Sequence, residues 1–336
     1  MVISTCGYGY TGASAVLDFL RGYDSVQILK SVEFQMLHQA DGLLDLKYYL
    51  VENRERIACN TAIKRFKRLQ KTGTLAFRLR KLMGNDFDKL TNEYIDNIIQ
   101  VTWLGRSNYD PSDISNESKY GVIRFIHRAA GFVCRRLKIK LHFPRYKERY
   151  FSIMTEEQFD ELTKNYIEKL MNGLNIDTTR DIALDMLFSA TNPRKGTEFF
   201  DNAKTIIVDR DPRDIFIVSQ RTDEEYSFMP WDTGENFVKY YRLLRENTIM
   251  DENVLVVRYE DLIYDYWNTT QRIMDYLGYT ERPNNEFKYF NPDISVKYTN
   301  LKNNTAYSEE IKYIEEQLSD YLYEFKPYVA VAKQSK

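Results

Sequence analysis

Cysteine is scarce in this sequence, with 3 in 336 residues. Cys6, Cys59 and Cys134 are widely spaced, odd in number and form no C-x-x-C pair. This spacing argues against a disulfide framework and against a zinc site, and it predicts three reduced thiols in an intracellular protein.

Long apolar runs and a large net charge are also lacking. No apolar run approaches the ~20 residues of a membrane span, and a predicted strand that begins at residue 2 leaves no room for a signal peptide. The formal net charge is −2, so no overall field attracts nucleic acid, although local patches can still bind anions. These absences predict a cytoplasmic protein with no nucleic-acid partner.

A glycine-rich loop near the N terminus is the strongest local signal. Val2 to Ser4 predict a short strand, and a helix is expected through Phe19. A strand that turns into a helix through glycines leaves backbone N–H groups unpaired at the helix N-terminus, where the helix dipole also favours negative charge. The predicted phosphate site consists of Gly9, Tyr10, Thr11, Gly12, Ala13 and Ser14.

The same loop departs from the ATP- and GTP-binding pattern G-x-x-x-x-G-K-[ST]. Gly7, Gly12 and Ser14 match it, but Ala13 stands where the lysine is required. That lysine reaches the β- and γ-phosphates, so its loss argues against a kinase or NTPase and favours a nucleotide with a shorter anionic tail. An atypical nucleotide-dependent phosphotransferase stays open as an alternative.

Two later stretches combine with the loop into a family pattern. Residues 205–208 predict a buried strand that ends at Asp-Arg-Asp-Pro-Arg-Asp (209–214), and residues 254–257 predict a strand that ends at Arg-Tyr-Glu-Asp-Leu (258–262). Together with the loop, these motifs resemble those of the sulfotransferases that use 3′-phosphoadenosine 5′-phosphosulfate (PAPS), and of the carbohydrate type in particular. The resemblance covers the first forty or so residues and the stretch from about 203 to 300.

The resemblance implies an α/β fold with a P-loop-like three-layer core, a central parallel sheet and a long helical insertion. Residues 1–40 and 181–336 are expected to form the PAPS-binding core, and residues 41–180 the insertion that binds the acceptor. Apolar residues recur at helical spacing over 41–180, and no strand-like alternation of comparable length interrupts them. PAPS is the implied co-substrate, and no metal is expected.

The resemblance also assigns nucleotide contacts outside the loop. Arg210 is implied to clamp the 3′-phosphate, a contact that suits a bidentate guanidinium. The family's serine falls eight residues after this arginine, where the chain has Val218. Ser219 therefore either reaches from an adjusted turn or is replaced by another donor. Ser295 and Lys297 lie where the family has a late loop that closes over the nucleotide.

Candidates for the chemistry follow the second predicted strand, at 25–29. Residues past the carboxyl end of a parallel strand face the ligand crevice of an open α/β sheet, which places Lys30 and Glu33 there. Sulfuryl transfer needs a base for the acceptor's proton and cations or N–H donors for the leaving phosphate. Glu33 resembles the glutamate of carbohydrate sulfotransferases and is the candidate base. Tyr10 stands where the family has a loop cation; the preferred substitute is Lys30, and the alternatives are a weaker hydrogen bond from Tyr10 or low activity. His38 is either a second base or a partly buried residue.

Three basic clusters lie in the insertion, at 64–71, 78–81 and 128–149. Each alone is typical of a solvated helix face, but together they favour binding of something anionic. The sequence thus predicts sulfuryl transfer to a hydroxyl or amine of a carbohydrate or glycolipid. The expected acceptor is a saccharide or a lipid-linked saccharide, and either of these could carry negative charge. The basic insertion is also expected to make peripheral contact with a membrane. Besides the phosphotransferase, the alternative is a catalytically silent homologue that only binds nucleotide or saccharide.

Overall fold

The computed structural model describes residues 1–106, 117–137, 146–177, 179–221, 229–250, 252–303 and 305–333. The chain divides into two compact units, one formed by Met1–His38 with Asn175–Lys336 and the other by Gln39–Leu174. Within the described ranges, no helix combines the length and the apolar character that crossing a bilayer requires.

Strands and helices follow one another along the described chain. The strands are β1 (Val2–Gly7), β2 (Val26–Glu33), β3 (Val101–Arg106), β4 (Tyr146–Phe151), β5 (Asp181–Asp185), β6 (Ala203–Asp209) and β7 (Val254–Arg258). The α-helices are α1 (Ser14–Leu20), α2 (Leu43–Lys47), α3 (Arg56–Thr72), α4 (Thr74–Met83), α5 (Asn85–Ile98), α6 (Glu117–Arg136), α7 (Glu156–Gly173), α8 (Pro212–Arg221), α9 (Gly234–Glu246), α10 (Asp261–Tyr264), α11 (Tyr266–Leu277), α12 (Pro292–Ser295) and α13 (Ser308–Gln317).

A five-stranded sheet in the order β2-β5-β1-β6-β7 forms the first unit's centre. All four pairings are parallel, so the carboxyl ends of the strands lie along one edge. In such sheets the ligand crevice lies outside this edge, where the strand order reverses beside the first strand. The predicted α/β core with a central parallel sheet is confirmed.

Side chains that alternate along β6 pack on opposite faces of the sheet. Ile206 and Val208 are fully buried in a core shared with α1 and α11, whereas Ile207 packs with Cys6 and Ala190. A strand buried on both faces explains why residues 205–208 read as a continuous apolar run. The sheet is therefore flanked on both sides, and this rigid layer holds the loops at its edge.

β2 departs from a regular ladder. Ile28 pairs with Ala183, and the next recorded pair is Glu33 with Asp185, five residues on in β2 against two in β5. Three additional residues are thus accommodated by an irregularity in β2. As a result Lys30 lies inside the strand, not beyond it as expected, and Glu33 is level with the end of β5.

The second unit is mainly helical but not purely so. Helices α5 and α7 pack through two buried tyrosines: the rings of Tyr94 and Tyr166 stack with centroids 4.4 Å apart. Each hydroxyl is paired, Tyr94 with Thr163 at 2.9 Å and Tyr166 with Thr91 at 2.8 Å. This unit also contains an antiparallel pair of strands, β3 with β4, which corrects the expectation of an insertion without strands.

Candidate functional site

A cavity of about 980 Å³ lies at the carboxyl edge of the parallel sheet. Its wall includes the whole glycine loop, Gly7 to Ser14, together with residues at the ends of β2 and β5. Arg210, after β6, and Tyr259, after β7, complete it from the other side. Residues at the carboxyl ends of all five strands of the sheet thus line the same cavity.

The glycine loop adopts a backbone that its sequence requires. Gly9, Tyr10 and Gly12 have φ of 96°, 53° and 84°, in the left-handed region that favours glycine. A Cβ at Gly12 would lie 2.6 Å from the ring of Tyr259. A Cβ at Gly7 would lie 1.9 Å from Oγ1 of Thr11, which is buried. No side chain caps α1, and the N–H groups of Ala15 and Val16 donate to the Gly12 and Ala13 carbonyls at 2.9 and 3.2 Å.

Arg210 joins the loop to a segment far along the chain. Its Nη1 donates to the Tyr10 carbonyl at 3.0 Å, and its Nη2 donates to the Tyr298 carbonyl. The guanidinium carbon is 4.9 Å from the ring centroid of Tyr259, and the residue is only 5% exposed. The arginine is therefore held between two loops by hydrogen bonds to neutral carbonyls, and its charge also acts on Asp214.

One hydrogen-bond donor of Arg210, the Nε–H group, is not used by these contacts. Its Nε is buried and has no hydrogen-bond partner among the described residues. Buried polar groups are nearly always paired, so an orphaned donor beside a cavity indicates a missing acceptor. Arg210 is also the one cation among the lining side chains that the structure describes. The glycine loop and this arginine fit an anionic nucleotide.

The late segment contributes to the cavity in part. Ser295, at the end of α12, lines the wall and is hydrogen-bonded to Tyr259. Lys297 is exposed, and its Nζ lies 4.9 Å from the ring centroid of Tyr298. It is not among the described residues that line the cavity. The structure thus brings Ser295 to the cavity wall and leaves Lys297 on the surface.

On α8, Val218 lines the cavity and Ser219 does not. Ser219 is 1% exposed, and its hydroxyl donates to the Phe216 carbonyl at 2.6 Å within the helix. The helix is regular here, so no adjusted turn brings the serine round to the nucleotide side.

Asp214, on the same helix, instead fixes the late segment: its carboxylate accepts from the N–H groups of Asn300 and Leu301 at 2.9 and 2.7 Å. Burial raises the pKa of Asp214 to about 6. This carboxylate acts as a structural tie.

The opposite end of the cavity is acidic. Asp18, Glu33 and Asp185 line it together with Gln35, whose amide donates to Glu33 at 2.9 Å. Burial, followed by the charges of Glu33 and Asp18, raises the pKa of Asp185 to about 6. Within the described ranges no three His, Cys, Asp or Glu side chains are grouped as a metal ion would need. This end offers proton acceptors for an incoming hydroxyl or amine.

Lys30 and His38 are the other two residues that the sequence predicts to take part in the chemistry. Lys30 belongs to β2, but its side chain lies outside the described residues. His38 is half-buried, and its Nε2 is 2.8 Å from the Met186 carbonyl. Burial lowers the pKa of His38, which favours the neutral ring. The hydrogen bond to Met186 holds the His38 ring against the backbone, and His38 is not among the described residues that line the cavity.

Sequence reasoning missed Asp185 and the aromatic wall formed by Tyr259, Tyr289 and Tyr298. β5 was not predicted, because Ile182 to Leu184 is a short apolar run that periodicity cannot assign to a strand or a helix. The carboxylate that ends this run was the available signal, since buried parallel strands place their last polar residue at the crevice.

Comparison with known proteins gives one family. The model of the sulfotransferase family matches residues 135–283, which is less than half of the chain. No protein of curated function matches the sequence.

Solved structures of the same kind are similar at low identity. The sulfotransferase domain of the Synechococcus PCC 7002 olefin synthase is 12% identical, covers 97% of this chain and 95% of that chain, and has a TM-score of 0.43. The sulfotransferase domain of the curacin biosynthetic pathway is 12% identical, with 97% and 98% covered and a TM-score of 0.42. A mouse sulfotransferase complexed with PAP is 19% identical over 47% of this chain and 56% of that chain, with a TM-score of 0.24.

The matched segment contains both later motifs, at 209–214 and 258–262. In the structure these motifs follow β6 and β7, next to the glycine loop that follows β1. The match names no acceptor, and the carbohydrate type is not established by it. Residues 135–283 are thus similar to the sulfotransferase family.

Proposed function

We propose that this protein is a sulfotransferase that transfers the sulfuryl group of PAPS to a hydroxyl or amine of a saccharide, free or lipid-linked. The observation that carries the proposal is the cavity in which the glycine loop and Arg210, with its orphaned Nε, stand opposite an acidic end. The nucleotide side presents N–H donors, and the acceptor side presents carboxylates. That polarity is what moving a group from a phosphate to a protonated nucleophile requires.

Residues of the first unit hold the nucleotide in this proposal. The backbone of Gly9 to Ser14 binds the 5′ end, where N–H groups of a loop and helix start favour an anion. Arg210 binds the 3′-phosphate through Nε, and Ser295 hydrogen-bonds beside it. The rings of Tyr259 and Tyr298 give the base a flat apolar surface.

When bound, PAPS supplies a sulfuryl group and a phosphate leaving group. The acceptor's proton then needs a carboxylate, and the acidic end of the cavity contains Glu33, which the sequence predicts for this role, and Asp185. Lys30 is the proposed cation for the leaving phosphate, in place of the loop position that Tyr10 occupies. His38 acts through the backbone of Met186, which it holds, and not on the acceptor.

Helix α6 of the second unit supports a lipid-linked acceptor. Six apolar side chains in and just after it are more than half exposed: Val122, Phe125, Ile126, Phe132, Val133 and Leu137. They recur at helical spacing, and the exposed Arg128, Arg135 and Arg136 accompany them. A basic helix with exposed phenylalanines is typical of segments that lie in a membrane interface. Other cations of the insertion are engaged within the protein: Arg80 binds Asp88 at 2.8 Å. The free thiols fit a cytoplasmic location.

The nucleotide assignment is tested by thermal unfolding. We expect 3′-phosphoadenosine 5′-phosphate (PAP), at about a hundred times its dissociation constant, to add about 2.7 kcal/mol to the free energy of unfolding. ATP with magnesium should give a smaller shift, because the loop lacks the lysine that reaches the γ-phosphate. A shift with magnesium ATP alone would favour the phosphotransferase. A shift with neither nucleotide would reject both.

Membrane contact is tested by flotation of the full chain with vesicles that contain phosphatidylglycerol. We expect the double variant Phe125→Ser/Phe132→Ser to lose binding by roughly 100-fold or more, since each buried Phe contributes about 1.5–3 kcal/mol. Phe77→Ser, on α4 of the same unit and 66% exposed, is the matched control and should bind like the wild type. Equal binding by all three proteins would exclude α6 as the contact.

A further inference from the structure

Asp185 lines the cavity, but it has no role when Glu33 is taken as the general base. It is the last residue of β5, which lies between β2 and β1 in the sheet. Its Cα is level with Glu33 on one side and with Thr5 on the other. Two more residues along β1, at about 3.3 Å each, reach Gly7 and the start of the glycine loop. Asp185 is therefore about 7 Å along the strand direction from the nucleotide side.

The backbone around Asp185 is fixed from three directions. Its carbonyl accepts from the Phe34 N–H at 2.7 Å, and the next N–H, of Met186, donates to the Thr5 carbonyl at 2.8 Å. Met186 has φ of 56°, so the chain turns sharply directly after the aspartate. His38 binds the Met186 carbonyl and supports that turn. A catalytic side chain on a backbone held in this way keeps its position without cost at each turnover.

The surroundings of the two carboxylates differ. Glu33 is exposed and already accepts from Gln35, whereas Asp185 is partly buried. The charged and titratable groups that face Asp185 are Glu33 on β2, Asp18 on α1 and the buried Cys6 thiol on β1. Burial and these like charges raise the pKa of Asp185 to about 6. A base works best when its pKa lies close to the working pH, so Asp185 is better poised for proton transfer than an ordinary carboxylate.

We propose that Asp185 is the general base of the sulfotransferase reaction and that Glu33 orients the acceptor beside it. The acceptor's O–H or N–H bond breaks and its proton passes to the Asp185 carboxylate. The freed electron pair forms the new bond to sulfur, and the bond from sulfur to the 5′-phosphate of PAPS breaks, leaving PAP. This inference rests on the proposed sulfotransferase function and concerns which residue takes the proton.

The test compares Asp185→Asn with Glu33→Gln and with Asp320→Asn, an exposed aspartate outside the cavity as the control. PAP release from PAPS is measured between pH 5 and pH 9 with water and with glucose as acceptors. We expect Asp185→Asn to lower the rate by roughly 10²–10⁴-fold. It should also remove the rise in rate as pH increases through about 6. Its PAP-induced thermal shift should equal that of the wild type. Asp320→Asn should match the wild type throughout.

A second readout does not depend on turnover. The raised pKa of Asp185 means that the folded state binds its proton more tightly than the unfolded state. The stability this contributes is present below the unfolded pKa of 3.8 and is lost as pH rises through about 6. We therefore expect Asp185→Asn to melt above the wild type at pH 8, and the difference to shrink as pH falls from about 6 towards 4.

The remaining outcomes each decide the matter. A rate for Asp185→Asn within tenfold of the wild type would overturn the assignment, as would a large loss confined to Glu33→Gln. Loss of the PAP shift in Asp185→Asn would show a structural role and also overturn it. A wild type that binds PAP but never releases it from PAPS would be a silent homologue without a base. A wild type that does not bind PAP would reject the proposed function itself, which is a distinct result.

Discussion

Replacing Arg210 with alanine is expected to remove half or more of the stabilisation by PAP. Arg210 is the one cation among the described lining side chains, so its loss leaves the 3′-phosphate without a charged partner there. A charge-assisted contact is worth about 1.5–3 kcal/mol. Since 1.4 kcal/mol is a factor of ten, binding should weaken by roughly 10- to 100-fold. At a concentration that adds about 2.7 kcal/mol to the wild type, a 100-fold weaker variant would gain only about 0.4 kcal/mol.

The structure dictates how this shift must be measured. Arg210 also holds the carbonyls of Tyr10 and Tyr298, so its removal lowers the stability of the ligand-free protein. We expect that loss to be about 1–3 kcal/mol, because buried acceptors are left unpaired. The shift of each variant is therefore taken from its own ligand-free midpoint.

Two further variants complete the comparison. Arg210→Lys keeps the charge but not the planar fork, and should retain part of the shift. Arg272→Ala, on the exposed surface of α11, should shift like the wild type. A full shift in Arg210→Ala would remove this residue from the nucleotide site.

The strand, loop and helix at the N terminus were predictable because every signal there is local. The glycines that allow positive φ, at Gly9 and Gly12, are adjacent along the chain to the strand and the helix they join. The strand before Arg210 was predictable for the same reason, since both faces of β6 are buried and its residues are uniformly apolar.

What could not be predicted depends on partners distant in sequence. β3 and β4 pair although Arg106 and Tyr146, their nearest ends, are separated by a long stretch of chain. The register that sets Glu33 opposite Asp185 arises from an irregularity in β2 that no pattern of apolar residues encodes. Local propensity contains no information about either pairing, so the second carboxylate of the cavity was invisible in the sequence.

The end of the last helix shows the same limit. Apolar spacing predicts a helix that continues through Leu322 and Phe325, whereas α13 ends at Gln317. Beyond it, the N–H of Tyr323 donates to Asp211 at 2.8 Å, and the Tyr323 carbonyl accepts from Arg213 at 3.0 Å. These bonds hold Tyr323 to the motif after β6, and Leu322 before it is extended, with φ of −70° and ψ of 145°. A tertiary contact thus overrides the helical pattern.

Asp211→Ala is expected to cause the largest loss of stability of any single change to the motif at 209–214. Asp211 is fully buried, and its two oxygens accept from Nε and Nη2 of Arg213 at 2.9 and 2.7 Å. Removal of Asp211 takes away the buried partner of Arg213 and leaves only the partly exposed Glu315, at 2.8 Å, to compensate its charge. We therefore expect a loss of roughly 3 kcal/mol, the lower end of the range for breaking a buried pair. The Tyr323 N–H loses its acceptor as well, so the C-terminal segment should be released together with the helix start. The measurement is the free energy of unfolding from urea titration of the full chain.

The exposed pair Glu235–Lys239 provides the matched control. Its atoms are 2.8 Å apart, close to the separation in the buried pair, but both side chains are more than 60% exposed. Glu235→Ala should change the free energy of unfolding far less than Asp211→Ala, because solvent screens the charges and replaces the lost bond. The double variant Asp211→Ala/Arg213→Met should be more stable than Asp211→Ala alone, since it removes the charge that has lost its buried partner. If Asp211→Ala lowered the free energy of unfolding no more than Glu235→Ala, burial would not be the reason that this ion pair stabilises the protein. The motif after β6 would then be held by its turn and by Glu260, which accepts from the Asp211 N–H at 2.7 Å.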